Sequence, residues 1–169
     1  VFASAELGWK SMLYLTLTGR NDWDSKLAFS NNKSFFYPSV GMSAILTEMF
    51  KLPEIISYAK IRGSYTIVAS SFERFLTNPG YEYDSQTHNW TNPTTYPAEN
   101  LKPEKTKSWE VGLNAKFWDN RFNLDVTYYR SNTLNQTFYV DIPATSGYSR
   151  AIVQTGNVQN QGLEMGIGY

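Results

Sequence analysis

Ser108-Trp109-Glu110-Val111-Gly112-Leu113-Asn114-Ala115-Lys116-Phe117 and Phe122-Asn123-Leu124-Asp125-Val126-Thr127-Tyr128-Tyr129, joined across Asp119-Asn120, are the stretch that decides the fold. On the outgoing run Trp109, Val111, Leu113, Ala115 and Phe117 alternate with Ser108, Glu110, Gly112, Asn114 and Lys116. Side chains that alternate with a period of two project to opposite faces of an extended chain, so the run predicts a strand with one apolar and one polar face. Asp119-Asn120 is a natural pair for a tight turn, because both residues tolerate a left-handed backbone. The return places Phe122, Leu124, Val126 and Tyr128 on one face and Asn123, Asp125, Thr127 and Tyr129 on the other.

The same alternation recurs on either side of this hairpin. Val1, Ala3, Ala5, Leu7 and Trp9 share a face, then Leu13, Leu15 and Leu17 alternate with Tyr14, Thr16, Thr18 and Arg20. Phe36, Val40, Met42, Ala44 and Leu46 oppose Tyr37, Ser39, Gly41, Ser43 and Ile45, while Ala59, Ile61, Gly63, Tyr65 and Ile67 oppose Lys60, Arg62, Ser64 and Thr66. A last run sets Leu163, Met165, Ile167 and Tyr169 against Gly162, Glu164, Gly166 and Gly168. The total is about seven strands of roughly ten residues, the length that a tilted strand needs to cross a bilayer. Between them short and long connections alternate: Lys10-Ser11, residues 47–58 and Asp119-Asn120 are short, and residues 21–34, 70–104 and 130–157 are long. Residues 47–58 are expected to carry a helical half-turn after Pro53. Such asymmetry belongs to an up-and-down membrane barrel, with tight turns at one end and long loops at the other.

Composition supports this reading. Aromatic residues make up 16% of the chain, rich for a soluble domain and ordinary for a barrel girdled by interfacial rings. Trp9, Trp109, Phe117 and Tyr169 stand near the ends of apolar stripes, where such rings collect. The polar faces carry Ser, Thr, Gly, Asn and Tyr with few charges, as in a wet interior, whereas the solvated face of a soluble sandwich is usually charge-rich. A soluble β-sandwich carrying carbohydrate on its loop aromatics is the alternative. The chain has no cysteine, so disulfide and thiolate chemistry are excluded. Fifteen basic residues balance fifteen acidic ones, which gives no electrostatic reason to expect nucleic acid. Seven strands do not close, because single-chain outer-membrane barrels use even numbers from about eight upward. The expected fold is therefore all-β, an arc of an antiparallel transmembrane β-barrel larger than the chain itself. The run from Leu163 to Tyr169 also has the alternating, aromatic-ended pattern of a terminal barrel strand.

Several segments resemble the barrel of SusC/RagA-type TonB-linked outer-membrane proteins. They include Thr18-Gly19-Arg20-Asn21-Asp22-Trp23, Ser34-Phe35-Phe36-Tyr37-Pro38-Ser39-Val40-Gly41 and Lys60-Ile61-Arg62-Gly63-Ser64-Tyr65. Further on come Glu99-Asn100-Leu101-Lys102-Pro103-Glu104-Lys105-Thr106, Ser108-Trp109-Glu110-Val111-Gly112-Leu113 and Leu124-Asp125-Val126-Thr127-Tyr128-Tyr129. Gly147-Tyr148, Gly156-Asn157-Val158 and Asn160-Gln161-Gly162-Leu163-Glu164 complete a series that keeps its order across nearly the whole chain. The resemblance implies a 22-stranded barrel in the bacterial outer membrane, filled by a plug domain and capped by a SusD-like lipoprotein. It implies import of a glycan or peptide oligomer, energised through the TonB complex, with the long loops extracellular. It places residues 1–169 within the barrel domain, with the plug and the TonB box outside this chain, and implies that further strands follow the Asn160-to-Glu164 segment.

No enzyme motif accompanies these features, and no catalytic residue, cofactor or metal is expected. Asp22-Trp23-Asp24 lacks the register, glycine and glutamate of a calcium loop and reads as a loop start. His88 is a lone loop histidine, where a metal site needs several converging ligands. Glu104 and Glu110 share a face but read as wall charges balanced by Lys102, Lys105 or Lys107. The segment 70–104 gathers Phe72, Phe75, Tyr81, Tyr83, Trp90 and Tyr96. Of these, Tyr81, Tyr83, Trp90 and Tyr96 are the candidate contacts for substrate or lipoprotein, since flat rings suit both sugar faces and protein packing.

Overall fold

The computed structural model describes residues 1–27, 33–73, 76–77, 80–98 and 101–169. Phe75, the Asn78-Pro79 step and the Glu99-Asn100 pair lie outside the described residues. Seven long strands build one antiparallel sheet: β1 (Phe2–Trp9), β2 (Leu13–Trp23), β3 (Ser34–Ile45), β4 (Ile56–Ser70), β8 (Glu104–Phe117), β9 (Phe122–Asp141) and β10 (Arg150–Gly168). Between β4 and β8 lie three short strands, β5 (Glu82–Asp84), β6 (Asn89–Thr91) and β7 (Thr95–Tyr96). The spatial order is β1-β2-β3-β4-β8-β9-β10-β7, with β7 running parallel to β10 and, among the described residues, β5 paired only with β6. Strands adjacent in sequence are adjacent in space apart from the short insertion, and β1 does not pair with β10, so the sheet is an open arc.

Register carries the alternation from strand to strand. Leu7 opposes Leu15, which opposes Met42, then Gly63, Val111, Tyr128 and Leu163. The next row on this face runs Trp9, Leu13, Ala44, Ile61, Leu113, Val126 and Met165. Directly opposed residues share a face, so seven separate sequence stripes fuse into one apolar surface. It is left largely exposed, with Leu7, Met42, Val111, Leu113, Leu163, Met165 and Ile167 all uncovered. No second sheet is stacked on it among the described residues, as a β-sandwich would require. On β8 the apolar stripe runs from Phe117 to Trp109 and then gives way to Lys107 and Lys105. On β9 it runs from Phe122 to Tyr128 and gives way to Arg130. Nine residues of strand at about 3.3 Å each, tilted by about 40°, give a band of roughly 20–25 Å, close to the apolar height of an outer-membrane barrel.

The opposite face is polar and bonds to itself. Arg62, Gly112 and Thr127 form one cross-strand row. The Arg62 guanidinium crosses over Gly112 and donates to Thr127 Oγ1 at 2.7 Å and to Asp125 Oδ1 at 3.2 Å. Asn114 Nδ2 completes the cluster by donating to Asp125 Oδ2 at 3.0 Å. Further out, the row Ser4, Thr18, Ser39, Thr66, Ser108, Ser131 and Asn160 lays a belt of small polar groups across all seven strands.

The tight turns form as their chemistry demands. Lys10 and Ser11 both have positive φ, 49° and 54°, and Met12 N–H closes the turn on Trp9 O at 3.0 Å. Trp118, Asp119 and Asn120 do likewise at 50°, 52° and 67°, and Arg121 N–H closes the turn on Trp118 O at 3.1 Å. In β3, Pro38 cannot donate to a ladder, and pairing with β4 begins only at Ser39. The gap beyond it is filled by buried Phe35 and Ala69 with Tyr37 and Phe72 packed around them.

Three expectations need correction. The connection expected over 130–157 is mostly strand: β9 continues to Asp141 and β10 begins at Arg150, leaving residues 142–149 as the link. Past Arg130 both faces of this hairpin are polar or mixed, so alternation no longer marks it. The helical turn in the 47–58 connection precedes Pro53, as α1 (Leu46–Met49). After Pro53 the chain makes only a turn, closed by Ile56 N–H on Pro53 O at 2.9 Å. Asp22 and Trp23 are the last residues of β2 and not a loop start. There Arg20 Nε donates to Asp22 Oδ1 at 2.9 Å, and the Tyr37 hydroxyl donates to Oδ2.

Candidate functional site

Strand polarity sorts the connections to two ends of the arc. The turns at Lys10-Ser11, 46–55 and 118–121 share one end and bond to each other: Ile45 N–H reaches Met12 O at 2.8 Å, and Trp118 N–H reaches Ile55 O at 3.0 Å. An irregularity at Ile56/Tyr58 frees Ser57, whose Oγ accepts from Asn120 N–H at 3.3 Å. Aromatic rings gather there, with Phe117, Trp118 and Phe122 mutually packed at centroid distances of 5.9–6.0 Å. The connections 24–33, 71–103 and 142–149 share the other end.

At that end the β9–β10 hairpin projects far beyond the apolar band and holds described parts of the 71–103 connection, with β7 paired along the edge of β10. Arg130 to Asp141 is twelve residues, and at about 3.3 Å each with the same tilt they rise roughly 30 Å. Three bonds to Thr94 O, from Ser149 N, Ser149 Oγ and Arg150 N, start the parallel pairing of β7 with β10. Lys102 N–H donates to Gln154 Oε1 at 2.7 Å, and Gln154 Nε2 donates to Lys102 O at 2.6 Å. The Tyr139 hydroxyl donates to Glu73 Oε2 at 3.1 Å. Below these contacts Asn135 and Gly156 interrupt the ladder with positive φ of 60° and 96°.

The four candidate rings divide among different surroundings. Tyr96 packs edge-on against Tyr148, centroids 5.2 Å apart, and is committed to the hairpin. Tyr81 lines a separate cleft with Gly80, Glu82 and residues Thr91 to Thr95. Tyr83 and Trp90 are brought together: they are directly opposed in the β5–β6 hairpin, with centroids 5.1 Å apart and planes at 53°. Phe72 belongs to the cluster around Phe35.

Two further residues of this hairpin support the rings, although sequence alone does not single them out for that role. His88 has φ 52° and shares a hydrogen bond of 3.1 Å between Nδ1 and the Tyr83 hydroxyl. Asp84 Oδ1 accepts from Gln86 N–H at 2.8 Å and Oδ2 from the Thr87 hydroxyl at 2.7 Å. These bonds, the Thr87 hydroxyl foremost, hold the Asp84 carboxyl below its ordinary pKa. Asp-x-x-Thr ahead of a turn is a legible signal for this closure.

Glu104 and Glu110 both lie on β8 with their side chains on one face, as expected. The lysines expected to balance them form no ion pair with them among the described residues, whose ion pairs are Arg20–Asp22 and Arg62–Asp125. Alternation explains this, since Lys105 and Lys107 project from the opposite face of the same strand.

Known proteins share this geometry. The family model described as "TonB dependent receptor-like, beta-barrel" matches residues 1–169. TonB-dependent receptor P3 of Formosa agariphila is 28% identical over 99% of this chain and 17% of its own length. TonB-dependent receptor SusC of Bacteroides thetaiotaomicron is 26% identical over 86% of this chain and 16% of its own length. Among solved structures, a chain of the RagAB peptide importer in its open–open state superposes with a TM-score of 0.82 at 22% identity, covering 98% of this chain and 19% of that one. The siderophore receptor PirA of Pseudomonas aeruginosa superposes with a TM-score of 0.67 at 16% identity, covering 98% of this chain and 30% of that one. The chain thus spans under a third of these proteins, all of them receptors or transporters. These relatives point to the bacterial outer membrane. The chain belongs to the TonB-dependent receptor-like β-barrel family, and it forms an arc of a SusC/RagA-type barrel.

Proposed function

We propose that this arc is part of the wall of an outer-membrane importer that takes up a nutrient, a glycan or peptide oligomer, without altering it chemically. The family match along all 169 residues carries the reading, supported by the sorting of tight turns and long connections to opposite ends. In this reading the apolar face contacts lipid, the polar face lines the lumen, and the long-connection end is extracellular. The plug and the TonB box belong to the rest of the polypeptide, and TonB supplies the energy that displaces the plug. A SusD-like lipoprotein caps the long-connection end, where the loop aromatics meet the ligand or the cap.

Uptake by cells producing the full-length receptor tests this reading. Growth on the transported nutrient should need both the receptor and TonB. A cysteine at Ser146 should react with an impermeant maleimide on intact cells, and one at Asp119 should not. TonB-independent growth, or labelling of Asp119 in place of Ser146, would overturn it.

A further inference from the structure

We infer that the β5–β6 hairpin is a preorganised binding platform for a neutral sugar ring, formed by Tyr83 and Trp90 with His88 beside them. The inference rests on the transport reading only for placing the hairpin outside the cell.

Trp90 is 68% exposed and Tyr83 is 51% exposed, although their rings pack on each other. Rings of this kind each bury about 150–250 Å² when covered, so roughly 250 Å² of aromatic surface is free here. A stable protein interface needs about 800 Å² from each partner. The platform is therefore too small to dock a protein by itself, and its size suits one or two sugar rings. The axial C–H face of a pyranose is apolar and matches an aromatic plane, while its equatorial hydroxyls need partners at the rim. His88 supplies one: Nδ1 is engaged with the Tyr83 hydroxyl, so Nε2 is the ring nitrogen that a ligand hydroxyl would use.

The hairpin is also stiff where ordering would otherwise cost affinity. Asp84 closes the turn with two bonds, and the Thr91 hydroxyl ties β6 to Glu82 O at 3.1 Å. Holding the two rings in place beforehand removes much of the side-chain entropy lost on binding. Among the described residues β5 and β6 pair only with each other, so changes to the rings break no ladder bond of the barrel sheet.

The test uses the full-length receptor in detergent, with cellohexaose, maltohexaose and mannohexaose as probes and a Ser-Gly hexapeptide as control. At least one oligosaccharide should bind. Trp90→Ala should weaken that binding by about tenfold, the upper range for one aromatic contact. Tyr83→Ala should weaken it by a smaller factor, and Trp90→Phe should restore most of the loss. Heat-modifiable gel mobility should report normal barrel assembly in every variant. The inference is overturned if none of the three sugars binds, if both alanine variants bind as the parent does, or if Trp90→Ala affects only lipoprotein retention. TonB-dependent uptake, measured in parallel, separates the two readings: uptake that persists with unchanged sugar binding in the variants rejects the platform alone.

Discussion

The side chain of Gln154 stands opposite the backbone of Lys102 as a strand residue would, accepting from its N–H at 2.7 Å and donating to its carbonyl at 2.6 Å. One amide side chain thus replaces a ladder step and holds the end of the 71–103 connection to the β9–β10 hairpin. Each bond of this kind contributes about 1 kcal/mol net. Gln154→Leu should raise amide hydrogen exchange at Leu101 and Lys102 and leave β8 exchange near Leu113 unchanged.

The apolar face sets a depth profile. Arginine at Leu113 or Val126, near the middle of the band, should cost roughly 2–4 kcal/mol in a bilayer folding assay. At Trp109, on the band edge beside Arg130, the cost should be nearer about 1 kcal/mol. Equal costs at the three positions would contradict a membrane-spanning β8–β9 pair.

Gly112 is required by the side chain that crosses it. A Cβ at this position would lie 2.7 Å from Arg62 Nε and 3.0 Å from Thr127 Oγ1. Gly112→Ala should push the guanidinium aside and weaken its bond to Thr127, destabilising the barrel by about 1–2 kcal/mol. In an Arg62→Met background the same change should cost less, and a double-mutant cycle reads the difference. Additive effects would show that Arg62 does not occupy this path.

The Asp84 carboxyl is held below its ordinary pKa of 3.8, chiefly by the Thr87 hydroxyl and then by the Gln86 N–H. A depressed folded-state value means the carboxylate favours hairpin order above the ordinary pKa, and this contribution is lost as pH falls through the lowered value. A 5-fluorotryptophan at Trp90 should therefore show a ¹⁹F change in acid, below the ordinary carboxylate value, that belongs to Asp84. Asp84→Asn should remove that transition.

Much of the barrel is legible in the sequence because lipid and lumen impose opposite demands on alternate residues. Periodicity assigns Leu13, Leu15, Leu17, Val111, Leu113, Leu124 and Val126 to one face, and the register joins them with Met42, Ile61, Leu163 and Met165. The signal fades where that contrast ends. Beyond Arg130 polar residues stand on both faces of β9, and Ser131 to Gln136 read as loop although they are strand. The helical turn at Leu46–Met49 is misplaced by sequence because Pro53 reads as a helix start, whereas the connection turns before it. Tyr83 and Trp90 can be named from composition, but their pairing depends on the β5–β6 register, which short strands of mixed polarity do not announce.

Oxygen and nickel-chelate accessibility of nitroxide labels in the reconstituted full-length receptor tests the lipid-facing arc most directly. Labels at Leu15, Met42, Leu113 and Val126 should be readily reached by membrane-dissolved oxygen and shielded from the aqueous chelate. Labels at Thr16, Ser43, Asn114 and Thr127, one position away on the same strands, should be shielded from oxygen. A one-residue step reverses the face of every strand, so the contrast should alternate along each one. Oxygen accessibility that is low at all eight positions, or equal between the two sets, would contradict a membrane-spanning arc.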